Sequence, residues 1–354
     1  MNNRITFRQA VSALTGAGVG YQVLELGGSW KAIITQYGGR LLGPFLGDQG
    51  ESLLWSTPAL KEADSLRDFV RARSWNLGGE RVWVNPELKY FCKAPELFNQ
   101  TYTVQDALDP GNYSIKLQPD GIHLEQSVKL EDLGNKEIAE FSLRRRYATA
   151  PNPLAYVKGL RDLGVEYCGF VQDLEIADRT PGGTCLEPWI LTQINPGGSC
   201  ITPFFGDFDF VDYYDPVGSM QTVRDGYAEL KVDGATKYKV GYRAAQTFGR
   251  MAHVHRDGDR VRLMVRNFYN DPSIPYCSEP WGDLGNKGCS VFYYNDDGST
   301  GGFAEFENSC ATVGPEAGRK QSSSTTSLWF FFGSEADIRI IMRLLLGVDY
   351  QPQS

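Results

Sequence analysis

The sequence predicts an all-β fold, one large antiparallel β-sandwich with a few short peripheral helices. Three observations carry that prediction. Apolar residues recur with period two along short segments: Ile122 and Leu124 share one face, as do Val261, Leu263 and Val265, while His123, Glu125, Arg262, Met264 and Arg266 take the other. Asp-Gly pairs separate such segments at 120–121, 233–234, 257–258 and 297–298, and each favours the positive φ that a tight hairpin turn requires. Helical periodicity is confined to a few stretches near the ends.

Taken in order, Thr6 to Leu14 carries Phe7, Val11 and Leu14 at i, i+4, i+7, the spacing of a short amphipathic helix capped by Thr6. Residues 1–20 are therefore expected to lay a helix on the core. From Tyr21 the segments YQVLELGG, WKAIITQYGG and GESLLWS read as strands punctuated by glycine turns. A charged stretch around 59–71 suggests a second helix. In GGERVWVNPE, residues 78–87, the two glycines permit a sharp turn or a close backbone approach. Alternation beyond them sends Arg81 and Trp83 to one face and Glu80 and Val82 to the other. Hairpins are expected between SIKLQ and IHLEQSVKL, AELKV and KYKVGYRA, MAHVH and RVRLMVRNF, and SVFYYN and FAEFE. A last helix over 334–346 has Ser334 as N-cap, with Glu335 and Asp337 placed favourably against the helix dipole. No proline- or serine-rich linker divides the middle, so 21–354 reads as a single sandwich domain.

The 354 residues carry a formal charge of −8, which argues against a nucleic-acid or anionic-membrane partner, since both are bound by clustered cations. The one dense basic run, Arg144 to Arg146, alternates faces on a strand and reads as mostly solvated. No stretch of 18 apolar residues suggests a membrane span. Seven scattered cysteines without a CxxC suit reduced thiols in a cytoplasmic chain. GAGVG at 16–20 lacks the strand before it and the helix after it that a dinucleotide site needs, and no phosphate loop, GxSxG or HExxH occurs. Neither a cofactor nor a metal is expected, and nothing sets the oligomeric state.

Candidate chemistry lies where polar residues interrupt β-like segments. Arg81 beside Trp83 suits a sugar: the guanidinium bonds hydroxyls while the indole covers an apolar ring face, with Glu80 steadying the loop. The competing reading is a buried Glu80–Arg81 or Glu87–Arg81 ion pair. In FAEFE, alternation puts Glu305 and Glu307 on one face about 7 Å apart, close enough for one to raise the other's pKa and serve general acid or base catalysis. An exposed outer face would give the same pattern. Residues 266–283, with Arg266, Glu279 and Trp281, form a long aromatic- and proline-rich segment of the kind that walls a cleft. Gln193 and Trp189 lie in EPWILTQINPGG. His253 and His255 share a face before a hairpin, an arrangement commoner for exposed strand histidines than for ligands.

Taken together, YQVLELGGSWKAIITQYGGRLLGP, GGERVW followed by NPE, PWILTQINPGG, and FAEFE with its trailing VGPEAG resemble the galactose mutarotase-like superfamily. The resemblance is closest to a mainly bacterial branch with a GG-x-R-x-W block. It implies a supersandwich with a sugar-sized cleft on its concave sheet. In aldose 1-epimerases of that superfamily an early-strand arginine binds sugar hydroxyls, paired histidines act as acid and ligand, and a late-strand glutamate removes the anomeric proton. Arg81 matches the first role by motif position, and Glu305 or Glu307 resembles the last. The histidines have no match, for none occurs between His123 and His253. The expected protein binds a small-molecule or oligosaccharide substrate. Arg81 and Gln193 would orient it, Trp83 or Trp281 would stack on it, Glu305 or Glu307 would act as base, and Glu279 would act as a second acid. The alternatives are a glycoside hydrolase or lyase using paired carboxylates, and a non-catalytic sugar-binding protein.

Overall fold

The structure, a computed structural model, describes residues 4–160 and 163–350. Two antiparallel sheets face each other. The first has nine strands in the order Tyr21–Gly27, Trp30–Thr35, Leu41–Leu46, Glu80–Asn85, Glu187–Ile194, Ala304–Ser309, Cys289–Asn295, Tyr238–Arg243 and Phe210–Asp212. The second has ten, in the order Gln221–Arg224, Tyr227–Lys231, Ser199–Pro203, Arg250–Asp257, Arg260–Asn267, Gln321–Gly333, Glu166–Asp178, Ile138–Thr149, Gly121–Glu131 and Ser114–Gln118. The all-β expectation holds, and period-two alternation is its cause. Val240, Val291, Tyr293 and Phe306 from one sheet pack with Leu124, Phe170, Leu328 and Phe330 from the other in one buried cluster, while the intervening residues point outward.

The turn chemistry is read correctly at three Asp-Gly pairs. Gln118 pairs with Gly121 and Asp257 with Arg260 across tight hairpins, and Asn295 pairs with Ala304 across a longer loop containing Asp297-Gly298. Asp233-Gly234 is a correction. Tyr227–Lys231 lies in the ten-stranded sheet and Tyr238–Arg243 in the nine-stranded one, so this pair turns a crossover between layers instead of a hairpin. A turn dipeptide fixes local φ, whereas the pairing of the flanking strands depends on which layer buries their apolar face.

The helices lie outside the sandwich. Phe7–Ala17 is closed by a capping box, Gln9 N donating to Thr6 Oγ1 at 3.3 Å and Thr6 N to Gln9 Oε1 at 2.9 Å, and its Ala10, Ala13 and Leu14 pack with Ile33, Leu42 and Phe45. The expected 59–71 helix is divided at Glu62, whose extended backbone separates a Pro58–Lys61 turn from Ala63–Arg71. Glu335–Leu346 starts at Ser334, which caps Asp337 N at 3.2 Å, and lays Ile338, Ile341 and Met342 over Leu263, Val265 and Phe331. Among the described residues no helix is long and apolar enough to cross a membrane. Arg144 bridges Glu125 and Glu175 at 3.0 and 3.1 Å on the outer face while Arg145 turns inward to Gly39 O, as alternation requires.

Candidate functional site

Register across the middle of the nine-stranded sheet assembles the site. One row runs Arg81, Leu191, Glu307, Phe292, Gly241; the next runs Gln193, Glu305, Tyr294, Lys239. Trp83, Trp189 and Ser309 form a third. Because side chains at i and i+2 share a face, all three rows leave the sheet on its outer side, away from the second layer. The strand bearing Arg81 is set by the glycines before it: Gly78 and Gly79 have φ of 101° and 70°, and a Cβ on Gly79 would lie 2.0 Å from Leu41 O. Their close approach is to the protein's own backbone.

A cavity of about 520 Å³ opens over these rows. Its walls come from segments above the sheet that carry Trp75, Phe98, Tyr102, Tyr214, Thr300 and Phe303, with the Phe98 and Tyr214 ring centroids 5.0 Å apart. The loop carrying Thr300 is held by Asp296, whose Oδ2 accepts the backbone N–H groups of Gly298, Thr300 and Gly302 at 3.0, 3.1 and 2.8 Å. Trp83 is fixed from behind by Asp109, which accepts its Nε1–H at 2.8 Å and pairs with buried Arg40.

The floor carries charge that has been taken out of water at a desolvation cost. Arg81 Nη1 lies 2.7 Å from Glu305 Oε1, and its guanidinium stacks 4.1 Å from the Trp83 ring. The ion pair is close but misaligned: neither Nη1 nor Nε of Arg81 has an aligned acceptor. Gln193 Nε2 bridges Glu305 Oε1 at 3.1 Å and Asn76 Oδ1 at 2.8 Å. Glu307 accepts the indole N–H of Trp189 through Oε2 at 2.8 Å, while its Oε1 is buried without a partner. Burial pushes the Glu307 carboxyl up to about 8; Lys239 opposes the shift, Glu305 and Glu87 add to it, and Arg81 opposes it. Lys239 Nζ lies 2.6 Å from Glu87 Oε2, and Tyr214 donates to Glu87 Oε1 at 2.9 Å.

Of the residues expected from sequence, Arg81, Trp83, Glu305 and Glu307 line this cavity and Gln193 backs Glu305. The others lie elsewhere. Glu80 and Arg266 are buried between the sheets, Arg266 Nη2 2.8 Å from Glu80 Oε2, because alternation turns Glu80 away from the cavity face of its strand and turns Arg266, on the second sheet, toward the first. Glu80 is an interior anchor and not part of the pocket edge. Glu279 accepts from Gly285 N at 2.6 Å within its own loop, Trp281 is exposed, and neither lines the cavity. Arg81 pairs with neither Glu80 nor Glu87. His253 is buried with Nε2 2.8 Å from Gly197 O, and burial pushes its imidazole down to about 3; His123 sits on Asp120. No histidine lines the cavity.

Sequence reasoning missed Lys239, and it considered Glu87 only as an ion-pair partner of Arg81, whereas its partner is Lys239. The alternation of KYKVGYRA places Lys239 opposite the core-facing Tyr238 and Val240, which was the available signal. Among the described residues no group of three or more His, Cys, Asp or Glu side chains is placed to hold a metal ion.

No protein-family profile and no curated protein matches the chain. Solved structures do. A galactose mutarotase-like protein from Clostridium acetobutylicum superposes with a TM-score of 0.51 at 10% identity, covering 88% of this chain and 98% of that one. A galactose mutarotase related enzyme from Lactobacillus acidophilus gives 0.49 at 8% identity over 88% and 97%, and a galactose mutarotase-like protein from Lactobacillus casei 0.48 at 12% over 88% and 100%. The first of these carries the comparison. The fold is the galactose mutarotase-like sandwich.

Proposed function

We propose that this protein binds a small sugar or the end of an oligosaccharide in the outer-face cavity and interconverts its anomers by proton transfer. Glu305 is the base and Glu307 the acid. Glu305 takes the proton of the anomeric hydroxyl as Glu307 gives its proton to the ring oxygen; the bond between the anomeric carbon and the ring oxygen breaks and leaves the open-chain aldehyde. Rotation about the adjacent carbon–carbon bond and reversal of both transfers close the other anomer, so no co-reactant is consumed.

The observation that carries this reading is the pair of unlike carboxyls two residues apart on one strand. Glu305 lies against a guanidinium, whereas Glu307, raised to about 8, holds its proton at neutral pH. Carboxyls in unlike environments are how a site obtains an acid and a base from the same residue type. Arg81 has N–H groups without aligned acceptors for sugar hydroxyls, while the rings of Trp83 and Trp189 are taken up by the cations of Arg81 and Lys239 that they hold in place. Since Glu305 and Glu307 leave the same strand on the same face, they approach a ligand from one side; glycosidases set their carboxyls on either side of the scissile bond. That contrast favours anomer exchange over hydrolysis. Kinship with the branch bearing the GG-x-R-x-W block belongs to the same reading.

The test is anomer exchange followed by NMR across a panel of aldoses and short oligosaccharides. Exchange catalysed by the wild type and lost in Glu305→Gln and Glu307→Gln supports the assignment. Binding without exchange in the wild type identifies a sugar-binding protein instead, and exchange retained in both variants rejects the two roles.

A further inference from the structure

The cavity holds a second buried ion pair that the proton transfer just described does not use. Lys239 and Glu87 come from different parts of the chain, are 2% and 4% exposed, and meet at 2.6 Å. A buried pair of this kind is seldom worth its desolvation as a stabilising contact alone. Its placement is informative. Lys239 Nζ lies 4.3 Å from the ring centroid of Trp189, and the indole N–H of the same Trp189 donates to Glu307 Oε2 at 2.8 Å. Phe292, the direct register neighbour of Glu307, is also within 5.8 Å of the ammonium. Cation and carboxyl are therefore joined through one ring and flanked by another, with little polar material to screen them.

We infer that Lys239 and Glu87 are positioning residues for the proton on Glu307, Lys239 favouring its release to substrate and Glu87 favouring its retention. The functional meaning rests on the acid role proposed above. The groups facing Glu307 are Glu305 on its own strand, Arg81 on the Glu80–Asn85 strand, Lys239 on Tyr238–Arg243 and Glu87 at the start of Glu87–Tyr90. Of the charges acting on it, Lys239 has the largest effect, and Glu305 and Glu87 act in the opposite sense. Tyr102, Tyr214 and Tyr294, raised by burial, stay neutral. An acid that is to give up a proton and take it back needs an affinity near the working pH, and burial alone would hold the proton too tightly.

The experiment reads the proton without any sugar. The indole resonance of Trp189, identified by its loss in Trp189→Phe, is followed by NMR from pH 5 to 10. The wild type should titrate near 8, and the titration should vanish in Glu307→Gln. Lys239→Met should raise the midpoint by about one unit or more and Glu87→Gln should lower it, since an opposite charge favours and a like charge disfavours ionisation; Lys239→Arg should restore it. A general loosening of the site in the two variants would instead lower both midpoints toward the ordinary carboxylate range. Shifts of the same sign, or an unmoved midpoint in Glu87→Gln, overturn the inference. Should Lys239→Met fail to fold, the contrast between Glu87→Gln and Lys239→Arg still decides. Absence of anomer exchange in the wild type would defeat the proposed reaction and leave this titration standing.

Discussion

Glu80 and Arg81 are adjacent in the chain, yet each belongs to a different polar cluster with a different character. Inside the sandwich, both oxygens of Glu80 are satisfied: Tyr147 OH and Gln172 Nε2 reach Oε1 at 3.2 and 2.8 Å, and Thr192 Oγ1 and Arg266 Nη2 reach Oε2 at 2.9 and 2.8 Å. On the outer face, Glu307 receives one donor, Oε1 has none, and Arg81 faces Glu305 without an aligned hydrogen bond. The inner cluster closes around the Glu80 carboxylate, leaving only Arg266 Nε and Gln172 Oε1 without partners, and holds two sheets together. The outer one is incomplete and opens on a cavity, and unfinished hydrogen bonding of this kind is what a ligand can complete.

The contrast yields predictions that would break or sharpen it. The largest effect is expected at Glu307: Glu307→Gln should reduce anomer exchange by roughly 10²- to 10⁴-fold with a small change in melting temperature, measured on the same preparation. The same variant should alter pH dependence. Because the folded state raises this carboxyl to about 8, it binds the proton more tightly than the unfolded chain does. Its contribution to stability is complete at acid pH and is lost as pH rises from the ordinary carboxylate range through 8; denaturant titrations at several pH values should show that slope in the wild type and not in Glu307→Gln.

In the inner cluster the effect should fall on stability. Arg266→Ala leaves Glu80 buried without its cation and should cost about 3–5 kcal/mol, read from denaturant midpoints, while the folded fraction keeps its sugar affinity. A loss of affinity with unchanged stability would merge the two clusters into one site. Arg81→Ala should do the reverse, weakening sugar binding by about ten- to a hundredfold, the scale of lost hydrogen bonds to a charged group, with a smaller loss of stability by calorimetry. The smallest effect belongs to the long loop: Glu279→Gln and Trp281→Ala should each stay within about 0.5 kcal/mol of wild type in stability and leave binding unchanged. A defect in either would bring that loop into the site.

Much of this was legible before folding. Alternation in FAEFE put Glu305 and Glu307 on one face, and alternation in GGERVW separated Arg81 and Trp83 from Glu80. That second pattern already sets Glu80 on the face away from Arg81, since adjacency in sequence places two strand residues on opposite faces. Arg266 fails because a strand pattern shows that a side chain leaves one face but not which face meets another layer. The Asp233-Gly234 hairpin fails likewise, since both flanking segments have sound strand patterns and differ only in the sheet they join. Lys239 and Glu87 lie 152 residues apart, and no local pattern couples them.

The sequence by itself determined the strands, most of their turns, the caps of the first and last helices, and which neighbours along a strand share a face. All of these follow from steric and hydrogen-bonding rules that act over a few residues. Only the tertiary structure decided which face is sealed between sheets and which opens outward, and so which arginine became an anchor and which a cavity wall. Burial is a property of the assembled layers, and the proton affinity of Glu307 follows from burial together with charges brought to it by distant strands.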